Sequence, residues 1–200
     1  EFGLGPTSKE KLATFLSRGS CLADILLETS SQVFEKEEMR QRCMEEMRKV
    51  YLRLEEEGVP PTPDAKDVLS SLKMAGSKVG IVTGRATFGE LKWLELRRLG
   101  IAQLIDVMVT GAEAQRKPAP DSVIKCLEEL GLSAEESVFV GDSQADIIAA
   151  KRAGVRVIAV TTGVASRETL AEEEPTAVIN NLTQLVAKIQ ELAEDKRSAA

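Results

Sequence analysis

From Pro63 onward, short Val/Ile-rich runs alternate with segments of helical period, and that alternation leaves few architectures open. The runs fall at Lys78–Val82, Ile105–Val109, Val138–Val140, Val155–Val160 and Ala177–Ile179. Helices are expected between them: Thr62 to about Met74, with Thr62 as cap and Pro63 in its first position, then Thr87–Leu99, Pro120–Leu130, Ala145–Ala153 and Leu182–Leu192. The tail after Glu194 is expected to fray. Runs this short and apolar, bounded by Gly or Asp, suit strands buried on both faces. Strand–helix alternation then predicts an α/β fold with a doubly wound parallel sheet.

The region before Gly58 carries helical period without strand signals. Cys43, Met47, Val50 and Leu54 recur at three- and four-residue spacing within Met39–Leu54, with Glu and Arg on the other face. Two shorter helices are expected around Leu12, Phe15 and Leu16 and around Leu22, Ile25 and Leu26, separated near Gly19. The segment Gly58-Val59-Pro60-Pro61-Thr62-Pro63 interrupts this pattern, since proline lacks a backbone donor and restricts its predecessor. A hinge is placed there, separating a helical region that ends at residue 58 from residues 59–200.

Composition narrows the chemistry. The 200 residues are 43% hydrophobic and 29% charged, enough apolar content for a packed core. The net charge of −6 is spread along the chain with no basic stripe, which argues against nucleic acid as a partner. No run approaches the roughly 20 apolar residues of a membrane span, and no signal-peptide pattern opens the sequence, so a cytoplasmic protein without a membrane partner is expected. Three widely spaced cysteines and no histidine remove His-based triads and most zinc sites. Acid–base chemistry falls to carboxylates or lysine, and any metal is expected to be a hard cation held by oxygen, with Mg²⁺ leading.

Ligands of open α/β sheets bind at the carboxyl ends of the strands. Three strand ends stand out. Thr83-Gly84-Arg85 can present a hydroxyl and backbone donors to an anion, or merely turn the chain. In Arg116-Lys117-Pro118-Ala119-Pro120-Asp121 two prolines stiffen the loop, so Lys117 is either a positioned cation or a solvated side chain on a rigid turn. In Gly141-Asp142-Ser143-Gln144-Ala145-Asp146 two carboxylates stand one helical turn apart, suited to a divalent cation or, alternatively, to capping by Asp142 with a solvated Asp146.

In this order, Thr83-Gly84-Arg85, Lys117-Pro118-Ala119-Pro120-Asp121 and Gly141-Asp142-Ser143-Gln144-Ala145-Asp146, with Ala149-Ala150 and Ala153-Gly154 behind them, resemble the second, third and fourth motifs of the haloacid dehalogenase superfamily. The resemblance covers about Pro63 to Gly163 and is strongest to the phosphoglycolate-phosphatase-like branch. It implies a Rossmann-like core with a small helical cap, here residues 8–58, and a Mg²⁺-dependent phosphatase of a small phosphorylated metabolite. It also implies roles: Thr83 and Gly84 bind the transferring phosphate, Lys117 bridges phosphate and nucleophile, and Asp142 with Asp146 hold and support the metal. The substrate and the oligomeric state are not specified by any motif.

The first family motif, a strand followed by Asp-x-Asp-Gly-Thr, has no intact counterpart. Laid against Phe-Asp-Leu-Asp-Gly-Thr, Phe2, Leu4 and Thr7 agree while Gly3 and Gly5 stand at the nucleophile and acid/base positions. Either the motif is degenerate or residues 1–7 are the remnant of a truncated start. Glycine offers no attacking carboxylate, so little or no turnover is expected. The alternative function is a non-catalytic protein that binds a phosphoryl ligand or inorganic phosphate. A third reading, an interaction protein using the Met39–Leu54 helix, requires that helix's apolar stripe to be exposed.

Overall fold

The computed structural model describes residues 8–20, 24–25, 37–57, 60–84 and 89–198. The expected alternation is present. Helices α1 (Lys9–Ser17), α2 (Glu37–Glu57) and α3 (Ala65–Met74) precede β1 (Gly80–Val82). There follow α4 (Gly89–Arg98), β2 (Val107–Val109), α5 (Asp121–Leu130), β3 (Val138–Gly141), α6 (Gln144–Arg152), β4 (Arg156–Val160), α7 (Arg167–Glu172), β5 (Ala177–Ile179) and α8 (Leu185–Ser198).

All strand pairs are parallel. β1 pairs with β2 in the register Ile81↔Met108, and β4 lies between β3 and β5 in the registers Val140↔Ile158 and Ile158↔Ala177. Among the described residues these make two ribbons, of two and three strands. Their side chains show how the layers stack. On β4, Val157 and Ala159 point into a cluster with Ile147 of α6 and Leu170 of α7, while Ile158 and Val160 meet Val68 of α3 and Leu185 of α8. The sheet is therefore covered on both faces, the doubly wound arrangement that the apolar runs imply.

Two helices tie the ribbons together. On one face, α3 gives Val68 and Leu72 to the β4 cluster and Leu69 to the cluster of Ile81 and Met108. On the other, α5 gives Val123 and Leu127 to the cluster with Ile147, and Cys126 and Leu130 to the cluster with Val82 and Val109. Ile147, Ile158 and Leu170 are fully buried, and each contributes about 1.5–3 kcal/mol by leaving water. Truncating Ile158 to Ala would cost about 2–5 kcal/mol, because both of its neighbouring layers are fixed.

Several local expectations are corrected. Thr62 does not cap α3. The helix begins at Ala65 after Asp64, whose φ of 64° turns the chain sharply, and Thr62 contributes only its carbonyl to the Ala65 N–H at 3.1 Å. The C-terminal helix starts three residues later than expected, behind a single 3₁₀ turn at Leu182–Gln184, and runs on to Ser198 instead of fraying after Glu194. Helix α7 was not anticipated, although its cap is legible: the Ser166 hydroxyl accepts from the Thr169 N–H. On α2, Cys43 is buried but Val50 is 51% exposed, so the stripe is only partly covered. The helix expected around Leu22, Ile25 and Leu26 falls largely outside the described residues.

Candidate active site

The sequence-predicted residues after β1, before α5 and after β3 do come together. Thr83 extends the β1 ladder, its N–H donating to the Val109 carbonyl at 3.0 Å, which places its side chain and Gly84 at the carboxyl end of that strand. Among the described residues, a Cβ on Gly84 would meet nothing within 4 Å. Arg85, Gly3 and Gly5 lie outside the described residues.

Lys117 reaches across from the loop before α5. Its Nζ lies 2.5 Å from Oδ1 of Asp146 and 3.4 Å from the carbonyl of Val82, and it stands 5.6 Å from the centre of the Phe139 ring. It thus links the end of β1 to the helix that follows β3. The loop carrying it is braced: Ala119 N–H donates to the Arg116 carbonyl, Arg152 donates to the Pro118 carbonyl, and the Val123 and Ile124 N–H groups converge on the Pro120 carbonyl. The bond between Lys117 and Pro118 is cis. The Lys117 side chain is ion-paired with Asp146 and 17% exposed, not a solvated lysine.

Asp146 is 5% exposed and fully engaged. Besides the ion pair, its Oδ2 accepts from the Ser143 hydroxyl at 2.7 Å and from the Asp142 N–H at 3.2 Å, while Ser143 Oγ accepts from the Asp146 N–H. This is a reciprocal cap at the start of α6, so Ser143, not Asp142, is the N-cap. The Ser-x-x-Asp spacing carried that signal, and the reading that gave capping to Asp142 is corrected.

Asp142 is thereby left, among the described residues, as the carboxylate of this pair that Lys117 does not meet. Its Oδ2 accepts one hydrogen bond, from Val164 N–H at 3.2 Å. Burial pushes its pKa up, and the neighbouring charge of Asp146 adds to that. Two glycines make room for the pair. A Cβ on Gly141 would sit 2.7 Å from Asp146 Cγ, and one on Gly163 would overlap the Asp142 carboxylate. Gly141 heads the motif read from the sequence, whereas Gly163 did not stand out there, because its approach to Asp142 joins two segments distant in the chain.

Among the described residues two carboxylates face one ammonium, so an anion would enter against net negative charge unless further positive charge joins it. An under-compensated, half-buried Asp142 is the donor a hard, oxygen-seeking cation fits. Among the described residues no three His, Cys, Asp or Glu side chains gather into a complete metal-binding group. Asp142 could thus hold a metal ion, with Asp146 accepting from its backbone N–H.

The family model described as haloacid dehalogenase-like hydrolase matches residues 1–160. The protein of Caldanaerobacter subterraneus carrying the name pyrophosphatase PpaX is 38% identical over 134 residues, 66% of this chain and 60% of that protein. The phosphoglycolate phosphatase of Salmonella typhi is 34% identical over 139 residues, 69% of this chain and 54% of that protein. The chain thus spans 54 to 60% of these curated relatives. Among solved structures, a predicted phosphoglycolate phosphatase from Haemophilus somnus superposes with a TM-score of 0.79 at 23% identity, over 94% of this chain and 85% of that one, a likeness of fold.

Proposed function

The chain belongs to the haloacid dehalogenase-like hydrolases, and on that premise we propose that it carries the phosphate- and metal-handling half of a Mg²⁺-dependent phosphatase site for a small phosphorylated metabolite. Residues 59–200 form the core in this reading and residues 8–58 the cap. The observation that carries it is the bridge from Lys117 to Asp146 at the strand ends where Thr83 and Asp142 also stand. Phosphoryl transfer depends chiefly on fixed positive charge and donors around the moving group, and this bridge holds the ammonium still before any ligand arrives.

Thr83 and Gly84 would bind phosphate oxygens, Lys117 would neutralise one of them, and Asp142 would hold the metal with Asp146 supporting it. Bound Mg²⁺ supplies charge neutralisation at the phosphoryl oxygens. No helix among the described residues is long and apolar enough to cross a membrane. With glycine at positions 3 and 5, the proposed nucleophile and acid/base positions, hydrolysis by the sequence as it stands is slow or absent, and binding outlasts catalysis.

The test is phosphate release from p-nitrophenyl phosphate with Mg²⁺, alongside calorimetric binding of inorganic phosphate, for this chain and for Gly3→Asp/Gly5→Asp. Phosphate binding without turnover in the first, and turnover gained in the second, is expected. Robust turnover by the unmodified chain overturns the assignment of Gly3 and Gly5. A folded chain that binds no phosphate overturns the site.

A further inference from the structure

The turn that ends α1 touches the site. Its hydrogen bonds close it tightly: the Gly19 N–H donates to the Leu16 carbonyl and the Ser20 N–H to the Phe15 carbonyl, both at 3.0 Å, with Gly19 at a φ of +81°. That is the glycine-terminated helix end in which a left-handed residue satisfies the last carbonyls. Phe15 and Ser17 are 6% and 2% exposed, so this end of α1 is packed and not splayed into solvent. A Cβ at position 19 would lie 2.8 Å from the carbonyl oxygen of Lys117 and 3.0 Å from the Cβ of Ala145. Lys117 and the neighbour of Asp146 therefore both abut one glycine.

We infer that Gly19 is a positioning residue: the α1 turn is keyed between the backbone of Lys117 and the first turn of α6, and its lack of a side chain sets the separation at which Lys117 meets Asp146. Arg152, the last residue of α6, also holds this loop by donating to the Pro118 carbonyl, so the loop of Lys117 meets both α1 and α6. The N-terminal helical region, assigned above to the cap, thereby contributes to the geometry of the core site without touching a ligand. The effect on ligand rests on the phosphate-binding reading; the effect on the ion pair does not.

Gly76 provides a matched control. It too ends a helix, α3, with its N–H on the Lys73 carbonyl and the Ser77 N–H on the Leu72 carbonyl, and its φ is +80°. A Cβ there meets nothing within 4 Å. Gly19→Ala and Gly76→Ala thus carry the same backbone strain, and only the first adds the contact. Inorganic phosphate affinity with Mg²⁺ should fall by about tenfold or more in Gly19→Ala and stay at the parent value in Gly76→Ala, since displacements near 1 Å are costly at such sites. Equal affinities in two folded variants overturn the inference.

The ion pair is read separately, by the stability lost on Lys117→Met in each background. The loss should be smaller in Gly19→Ala than in the parent or in Gly76→Ala, and equal losses overturn the inference whether or not phosphate binds. If Gly19→Ala does not fold, amide exchange on the unmodified chain decides. Ser20 and Ala119, donors on the two sides of the contact, should open with a common free energy, and independent opening overturns the inference.

Discussion

Lys117 and Asp146, 29 positions apart in the chain, meet at 2.5 Å with Asp146 almost wholly removed from water. A buried carboxylate so placed depends on its cation, and the Ser143 hydroxyl and Asp142 N–H satisfy only its other oxygen. The pair is thus a structural joint between the loop before α5 and the start of α6 as well as a chemical feature of the site.

Removing one partner of this joint should be worse than removing both. Lys117→Met leaves Asp146 buried and unpaired, at a cost of about 3–5 kcal/mol. Lys117→Met/Asp146→Asn should cost clearly less than the two single losses summed, as measured by urea denaturation. Simple additivity would mean that the two side chains do not interact in solution.

Gly163 should not accept a side chain. A Cβ there occupies the space of the Asp142 carboxylate, so Gly163→Ala must displace Asp142 or the Val164 N–H that it accepts from. A loss of about 1–3 kcal/mol is expected from such overpacking. Gly84→Ala, with open space around it, should stay within about 0.5 kcal/mol in the same thermal melts.

Glu113 should add stability that acid removes. Its carboxylate accepts from the Thr110 hydroxyl at 2.7 Å and the Thr110 N–H at 2.8 Å, and the hydroxyl bond, followed by the backbone bond, holds its pKa below the usual carboxylate range. A folded-state pKa below the unfolded value means the contribution is complete above about pH 4.3 and is lost as pH falls through the depressed value. The stability gap between the parent and Glu113→Ala should be about 1 kcal/mol near pH 7, discounted for the exposure of Glu113, and should narrow as pH falls through the depressed folded-state value. A gap that does not change with pH would show that the charge is irrelevant.

Cys126 should be inert in the native protein. Burial, then the nearby Glu129, pushes its thiol up to about 11, and thiolate is the reactive form. Iodoacetamide at pH 8 should leave Cys126 unmodified by mass spectrometry until urea unfolds the chain. Rapid native alkylation would place the thiol outside the α5 core.

Much of the core was legible because its signals are local. Val/Ile runs long enough for one strand, helical period between them, and Gly or Asp at the strand ends each act within a few residues, so β1 to β5 and the helices around them appear close to their expected positions. The same locality exposed Lys117, Asp142 and Asp146, since residues after a strand face the ligand edge of a parallel sheet. Helix ends were less legible. Asp64 and the turn at Leu182–Gln184 show backbone choices settled by packing and not by the nearest good cap.

By itself, the sequence determined the α/β class and the order of its strands and helices, fixed by residue type and short-range period. Only the tertiary structure decided which carboxylate is paired with Lys117, because that depends on distances across segments 29 residues apart. It likewise assigned the cap of α6 to Ser143 and brought Gly19, Gly141 and Gly163 against the site. A glycine's part in close approach has no side-chain signature, and it becomes visible only when the surface it must admit is in place.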